Sequence, residues 1–270
     1  MLRVKGRFPW RIGATSFVIP AGIAENVQYL ADRVDDIQLL FFESSCRARL
    51  PQKIDVPLLA ALARDHHLSY TVHLPTDLMP GHGSRAVRQQ AVDEIVRLMA
   101  ELAPLHPLRF DLHLPRQQEL DVAPWLENIN DFLLALKRDI GPQRTMVAIE
   151  NINYPFRLVR SLVLHHGFDL CPDIGHALFF DDDPALLLHD IHPGSHMHYH
   201  GIRGGRDHQA LGPEQRDRTA ELGAVLHAGA CRGVVTLEVY NSGDLQASLQ
   251  HIAEIWSLYQ QDNRLAVVTK

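Results

Sequence analysis

Between His196 and His208 the chain places four of its 17 histidines and the acid Asp207 within thirteen residues. A polar loop after a short strand would account for any one of these imidazoles. Four so close together point to metal ligation or proton transfer, the two chemistries that imidazole performs near neutral pH. The same residue types recur singly elsewhere. Glu43, His73, His113, Glu150, Asp173, His198, His200 and Glu238 each stand at the C-terminal end of a short run rich in β-branched or aromatic residues.

If those runs are neighbouring strands, their ends converge on one cavity. Glu150, Asp173 and Glu238, or four acids with Glu43, would then repel one another and forgo hydration worth roughly several kcal/mol per ion. A bound cation removes both costs. Carboxylates and neutral imidazoles suit divalent Zn, Mn or Fe(II), and a ligand set without cysteine favours an open catalytic site over a closed structural one. Taken alone, His73 or His113 reads equally well as a hydrogen-bonded core histidine, so the set as a whole carries the metal reading.

The elements that must position these residues alternate regularly. Strands are predicted over Arg11 to Ile19, Ile37 to Glu43, Ser69 to Leu74, Leu108 to Leu114, Thr145 to Asn151, Phe168 to Ile174, Ser195 to Ile202 and Gly233 to Tyr240. Helical periodicity runs through Ile23 to Arg33, Pro57 to His66, Arg85 to Ala103, Ala123 to Arg138, Pro155 to His166, Asp183 to Asp190, Pro213 to Ala228 and Leu245 to Gln260. Eight βα units without a linker predict a (β/α)8 TIM barrel, α/β in class, formed by residues 1–270 as a single domain. A doubly wound open sheet is the second choice, but no GxGxxG follows the first strand. In a barrel the C-terminal strand ends form the mouth, where active sites are built. The residues two positions before the candidate ligands are Phe41, Thr71, Asp111, Ala148, Cys171 and Thr236, mostly small or uncharged as inward-facing positions require, with Asp111 the exception. The Asp181, Asp182, Asp183 run reads as a helix N-terminal region.

Composition narrows the function classes. A chain of 270 residues that is 46% hydrophobic and 21% charged is an ordinary globular protein. No apolar run approaches the roughly 18 residues that cross a bilayer, and Phe17 to Pro20 is too short for a signal core. The sequence therefore reads as cytoplasmic, with no membrane partner. A net charge of -6 argues against a broad phosphate-backbone footprint, and so against a nucleic-acid partner. Cys46, Cys171 and Cys231 lack CxxC spacing and read as buried thiols.

At these residues the chain resembles the xylose isomerase-like TIM barrels, a superfamily that includes the type 2 apurinic endonucleases. The resemblance rests on Val72-His73-Leu74-Pro75, Leu112-His113-Leu114, Ala148-Ile149-Glu150-Asn151, Asp173-Ile174-Gly175-His176, His198-Tyr199-His200-Gly201, the Asp207-His208 pair and Leu237-Glu238-Val239, in that order along nearly the whole chain. It implies more than one divalent metal ion per chain, held by His73, His113, Glu150, Asp173, His176, His198, Asp207, His208 and Glu238. Two departures stand out. The family commonly puts one residue between the aspartate and histidine after strand seven, whereas Asp207 and His208 are adjacent, which leaves open which of them reaches metal. Strand seven offers both His198 and His200, and the motif favours His198 as ligand and leaves His200 for substrate.

Within the superfamily, Ala14 to Pro20, Val34 to Glu43, Tyr70 to Leu78 and His200-Gly201 with Gly205 to His208 resemble the cobamide-remodelling phosphodiesterases. That likeness implies a metal-dependent hydrolase that opens the nucleotide loop of a cobamide, a small-molecule substrate, in corrinoid salvage. Glu150, Glu238 and His200 would then be catalytic, while Glu43, Arg203 and Arg206 would contact substrate, the arginines gripping phosphate or else standing solvated in their loop. The loop Thr76 to Arg85 would form part of a rim wide enough for a corrin ring. The alternative is a sugar isomerase or epimerase with one metal on Glu150, Asp173, His198 and Glu238, for which His73 and His113 are not required. A DNA-repair endonuclease fits the ligands but not the charge, and a silent binding barrel leaves the filled ligand positions unexplained.

Overall fold

The computed structural model describes residues 1–42, 54–117, 120–189, 191–227 and 232–268, with side chains described as far as Gln261. In chain order the elements are β1 (Arg11–Thr15), α1 (Ile23–Leu30), β2 (Asp36–Leu40), α2 (Val56–His66), β3 (Ser69–His73), α3 (Arg85–Leu102), β4 (Phe110–Leu112), α4 (Val122–Ile140), β5 (Val147–Glu150) and α5 (Arg157–His166). There follow β6 (Asp169–Cys171), α6 (Ile174–Phe179), α7 (Pro184–His189), β7 (His196–Tyr199), β8 (Gly201–Arg203), β9 (Arg206–Gln209), α8 (Arg216–His227), β10 (Val234–Leu237) and α9 (Ser242–Val268).

Eight parallel strands form the sheet in the order β6-β5-β4-β3-β2-β1-β10-β7. The ring closes through a parallel bridge between Asp173 and His198, where the His198 N–H donates to the Pro172 carbonyl at 2.9 Å. The fold is the predicted (β/α)8 barrel. Strand alternation sends Ile37, Leu39, Val72, Phe110, Ile149, Met197, Tyr199 and Leu237 outward into the apolar layer beneath the helices, all of them buried. The interior is polar instead. Ser69 and Thr71 donate to Asp36 at 2.6 and 2.7 Å, and above them Gln38, Asp111, His196 and Thr236 bond to one another across the barrel. Burial pushes the Asp36 carboxyl up to about 6, although the two hydroxyls and His196 pull the other way.

Local chemistry sets the ends of the helices. Asp55 caps α2 by accepting the Leu58 N–H at 2.9 Å, and α2 ends at His67 in a left-handed conformation, φ 53°. The acidic run behaves as a cap: Asp183 accepts the Ala185 N–H at 2.9 Å and Asp182 accepts that of Phe156 at 2.8 Å. Three details depart from the sequence reading. The first strand stops at Thr15, because Ser16 to Pro20 turn away to make a loop around Asn26. The predicted seventh strand splits at His200, and its continuation leaves the barrel as a β8–β9 hairpin whose turn is Gly204 and Gly205, φ 58° and 69°. The short helix α6 was not anticipated, since its cap is itself the candidate ligand Asp173. Among the described residues no helix is long and apolar enough to cross a membrane.

Candidate metal centre

Each candidate ligand comes from the C-terminal end of a strand or the loop just beyond it. His73 and Glu150 are the last residues of β3 and β5, His198 is the third of β7, and His113 and Glu238 follow β4 and β10 directly. Asp173 caps α6 through its bond from the His176 N–H at 2.9 Å, so one helical turn delivers both residues. His208 rides on β9. The tight packing requires Gly175, where a Cβ would lie 2.3 Å from the His200 ring.

Among the described residues four groups of potential donors have their atoms within 4.8 Å of one another; one, Asp111, Cys171, His196 and His198, lies in the layer beneath, and the other three take in the candidate ligands. Glu150, Asp173, His198 and Glu238 form the centre, with His198 Nδ1 at 3.1 Å from Glu150 Oε2 and 3.2 Å from Glu238 Oε2. His73 and His113 approach the same Glu150 oxygen at 3.4 and 3.2 Å, which makes Glu150 common to two groups. The third group contains His176, His200 and His208, with 3.4 Å between the Nε2 atoms of His176 and His208. Asp207 Oδ2 lies 4.0 and 3.9 Å from those two nitrogens, at the accessible edge of the group.

Hydrogen bonds decide which ring nitrogen is free. His73, His176 and His208 each place Nδ1 against a backbone carbonyl, that of Leu74 at 2.8 Å, Asn151 at 3.1 Å and Glu238 at 3.1 Å. A carbonyl only accepts, so Nδ1 carries the proton and Nε2 turns a lone pair toward the cavity. His200 Nδ1 lies 2.9 Å from the His208 N–H, which can only donate, and 3.2 Å from the Gly201 carbonyl; the shorter contact makes Nδ1 the acceptor, and in the neutral ring the proton then sits on Nε2, 3.3 Å from Asp173 Oδ1. His200 is wholly buried with its Nε2 beside Asp173, and Asp207 Oδ2 is the carboxylate oxygen beside His176 and His208. His198 meets the Gln38 Nε2 at 2.7 Å on its own Nε2. An amide N–H donated there leaves the neutral ring's proton on Nδ1, between Glu150 and Glu238, where a cation would displace it.

The donors fit a metal centre. His113 Nε2, both Glu150 oxygens, Asp173 Oδ2, His198 Nδ1 and Glu238 Oε2 are buried without a hydrogen-bond partner, and all face this cavity. Orphaned buried groups are expensive individually, and a cation satisfies the group of them at once. Electrostatics agree. Burial alone would raise the Glu150 carboxyl, yet the His198 and His113 imidazoles hold it well below the usual carboxylate range. Asp173 is lowered against burial by His176 and His200. Burial would lower His176, but Asp173 and Glu150 push it up to about 10. The acids thus draw protons onto the histidines, the work a divalent ion does more completely.

Beneath the centre lies a layer the sequence reading passed over. Asp111 accepts from His196 Nδ1 at 2.9 Å and from Gln38 at 3.0 Å, while His196 Nε2 meets the Thr236 hydroxyl at 2.8 Å. Asp111, noted only as a parity exception, is wholly buried beside Cys171, whose thiol is pushed well up by burial and by Asp111. Gln38 gave no signal in the sequence, and His196 stood only as one of the four clustered histidines, without a role of its own. Arg203 and Arg206 face each other across the hairpin turn, both exposed, and Arg203 pairs with Glu214 at 3.5 Å. In the loop Thr76 to Arg85, Gly81 lies against the Trp125 indole and its carbonyl accepts from Asn128 at 3.2 Å. Glu43, Cys46 and Cys231 lie outside the described residues.

This architecture is a TIM barrel shared with several solved structures. Structures similar to it include a D-tagatose 3-epimerase-like protein (17% identity, TM-score 0.75, 93% of this chain and 99% of that one). Others are the 3-keto-D-glucoside 4-epimerase of E. coli (17%, 0.70, 92% and 99%) and a family 2 AP endonuclease from Brucella melitensis (17%, 0.68, 90% and 98%). No protein-family model matches the chain, and no curated protein does. At such identities the likeness is one of fold, and it spans epimerases and an endonuclease alike.

Proposed function

We propose that this barrel is a metal-dependent phosphodiester hydrolase, with the nucleotide loop of a cobamide as the substrate class to which the sequence resemblance points. The observation that carries the reading is Glu150, whose Oε2 lies 3.1, 3.4 and 3.2 Å from His198, His73 and His113 while its Oε1 lies 3.3 Å from His176 Nδ1. A single ion on Glu150, Asp173, His198 and Glu238 leaves His73, His113, His176 and His208 without purpose. Several ions, held by the three groups, use them all.

Divalent ions bound there would neutralise the non-bridging phosphate oxygens and lower the pKa of a coordinated water toward about 7. The chain's own residues supply the rest. Glu150 and Glu238 set the negative charge that holds cations in a water-poor cavity, and His200 with Gln38 fixes the orientation of Asp173 and His198. Tyr240 donates to Glu238 Oε1 at 3.3 Å, and burial with the Glu238 charge keeps that phenol protonated. Asp207, a third exposed, stands where a water proton can reach a carboxylate. In the net reaction a water oxygen bonds to phosphorus as one ester P–O bond breaks, and the departing oxygen takes up a proton.

A second reading, a single-metal sugar epimerase, is supported by the four-residue central group and by the epimerases among the similar folds. Incubating the Zn-, Mn- or Fe(II)-loaded protein with a complete cobamide, with abasic DNA and with free ketoses separates the two. The hydrolase reading expects a cobinamide-type product plus the lower-ligand nucleoside or nucleotide, with DNA and ketoses unchanged. Intact cobamide beside an epimerised ketose moves the assignment to the second reading.

A further inference from the structure

Phe17, Phe42 and Tyr240 follow β1, β2 and β10, three adjacent strands, at the end of the barrel that carries the ligand groups. Their centroids are 4.9 Å apart for Phe17 and Phe42, 6.5 Å for Phe17 and Tyr240, and 6.0 Å for Phe42 and Tyr240, with every pair edge to face. Tyr240 ties this cluster to the metal centre, because its ring lies 4.9 Å from that of His208 and its hydroxyl meets Glu238. Phe17 is nonetheless 45% exposed and Phe42 38%.

The exposure is built in. Asn26 accepts the Val18 and Ile19 N–H groups at 2.8 and 3.0 Å and donates to the carbonyls of Ile19, Ala21 and Gly22, which locks the loop that carries Phe17. The Phe42 carbonyl accepts from both the backbone and the hydroxyl of Thr76, at 3.2 and 2.7 Å. The Thr15 hydroxyl donates to the Val239 carbonyl at 3.0 Å and ties β1 to the segment before Tyr240. Apolar rings held rigidly open at the edge of a polar cavity are unfavourable in water and lose little further freedom when something covers them.

The geometry points to a stacking subsite: we infer that Phe17, Phe42 and Tyr240 receive a planar, uncharged aromatic ring of the same substrate whose phosphodiester meets the ligand groups. This rests on the hydrolase reading. Three rings make a patch the size of one aromatic group, far below the roughly 800 Å² per partner that a stable protein interface buries. None of the three carries a charge at neutral pH, so a flat apolar face is the matching chemistry and a second ionic group is not.

Two phosphodiesters with the same non-aromatic leaving group, hexafluoroisopropanol, test it, one with phenyl and one with methyl as the other ester. In the metal-loaded protein the phenyl ester is expected to have the higher kcat/KM, and Phe17→Ala or Phe42→Ala to lower the phenyl-to-methyl ratio about tenfold, the effect of one lost stacking partner. Phe17→Tyr should keep the ratio, as should Leu186→Ala, which trims an apolar residue that is 59% exposed on α7. Calorimetric binding of phenyl phosphate against methyl phosphate provides a readout that does not depend on turnover, and elemental analysis confirms equal metal content. If neither ester is cleaved but phenyl phosphate binds more tightly through Phe17, the subsite stands and the hydrolase reading fails. If both esters are cleaved with a ratio that Phe17→Ala leaves unchanged, or if phenyl and methyl phosphate bind alike, the subsite is overturned.

Discussion

Asp173 and His198 pair backbone to backbone across the seam between β6 and β7, and both turn their side chains into the central ligand group. The weakest join in the barrel and the middle of the candidate centre are therefore one place. A cation held by these two side chains also fastens the ring of strands.

Metal removal should accordingly destabilise the whole fold. Ligand at a hundred times its Kd adds about 2.7 kcal/mol to the native state, which for a chain of this size is a Tm difference on the order of 5–10 °C. Melts with Zn and with chelator measure it. Identical curves, with metal content confirmed, would rule out a cation at the seam.

Glu150→Gln and His113→Ala should separate the ligand groups. Because Glu150 serves two groups, its amide variant is expected to retain fewer ions than His113→Ala, and elemental analysis reads the difference directly. Loss of a partner behind a ligand costs about 10–100-fold in affinity or activity, so loss of a ligand itself should lower turnover at least about a hundredfold. The metal-free fold should survive both changes, since Glu150→Gln removes a buried charge and leaves the shape. A metal-free melt that collapses along with activity would favour a purely structural role.

Metal uptake should release protons. His176 is raised to about 10 and His198 well above its ordinary value, both against burial and with neighbouring carboxylates contributing to each rise. Imidazolium cannot ligate, so at pH 7 each incoming ion must expel protons, and affinity should rise with pH. Calorimetry in buffers of different ionisation enthalpy is expected to give at least one proton released per ion. A binding enthalpy that does not change with buffer would contradict it.

The Asp36 layer makes a separate pH prediction. Its carboxyl, raised to about 6, binds a proton more tightly in the folded chain than in the unfolded one. The native state then holds more protons between the ordinary carboxylate range and about pH 6, and stability falls as pH rises through that window. Above it the penalty is constant, about 3 kcal/mol. Asp36→Asn does not titrate, so its stability relative to the parent should climb from pH 4 to pH 6 and then level off. Denaturant unfolding at three pH values checks this, and a flat difference would show that Asp36 ionises as it does in water.

The barrel was legible in the sequence because eight strand-like runs alternate with helical periodicity, and each ligand sits where its run ends. The candidate ligands stood out because a charged residue at the end of an apolar run is conspicuous. The layer beneath was not: Gln38 and His196 lie within their strands and bear no mark of a partner until the ring closes and brings β2, β4, β7 and β10 together. The role of His200 was hidden for a different reason. Sequence spacing places it on the His198 face, but only the hairpin beyond it supplies the His208 N–H that fixes its proton. The glycine pair at Gly204 and Gly205 was visible and read as a loop, whereas its two positive φ angles build a tight turn.

That hairpin separates the ligand groups in time as well as in space. Donors on barrel strands move apart only when strands of the sheet separate. His208 and Asp207 ride on two short strands joined by a two-residue turn, the kind of element that opens locally and often. Ions at the centre should therefore exchange slowly with solution, while an ion in the third group comes and goes at the pace of the hairpin, the first to leave when metal is scarce and the last to return.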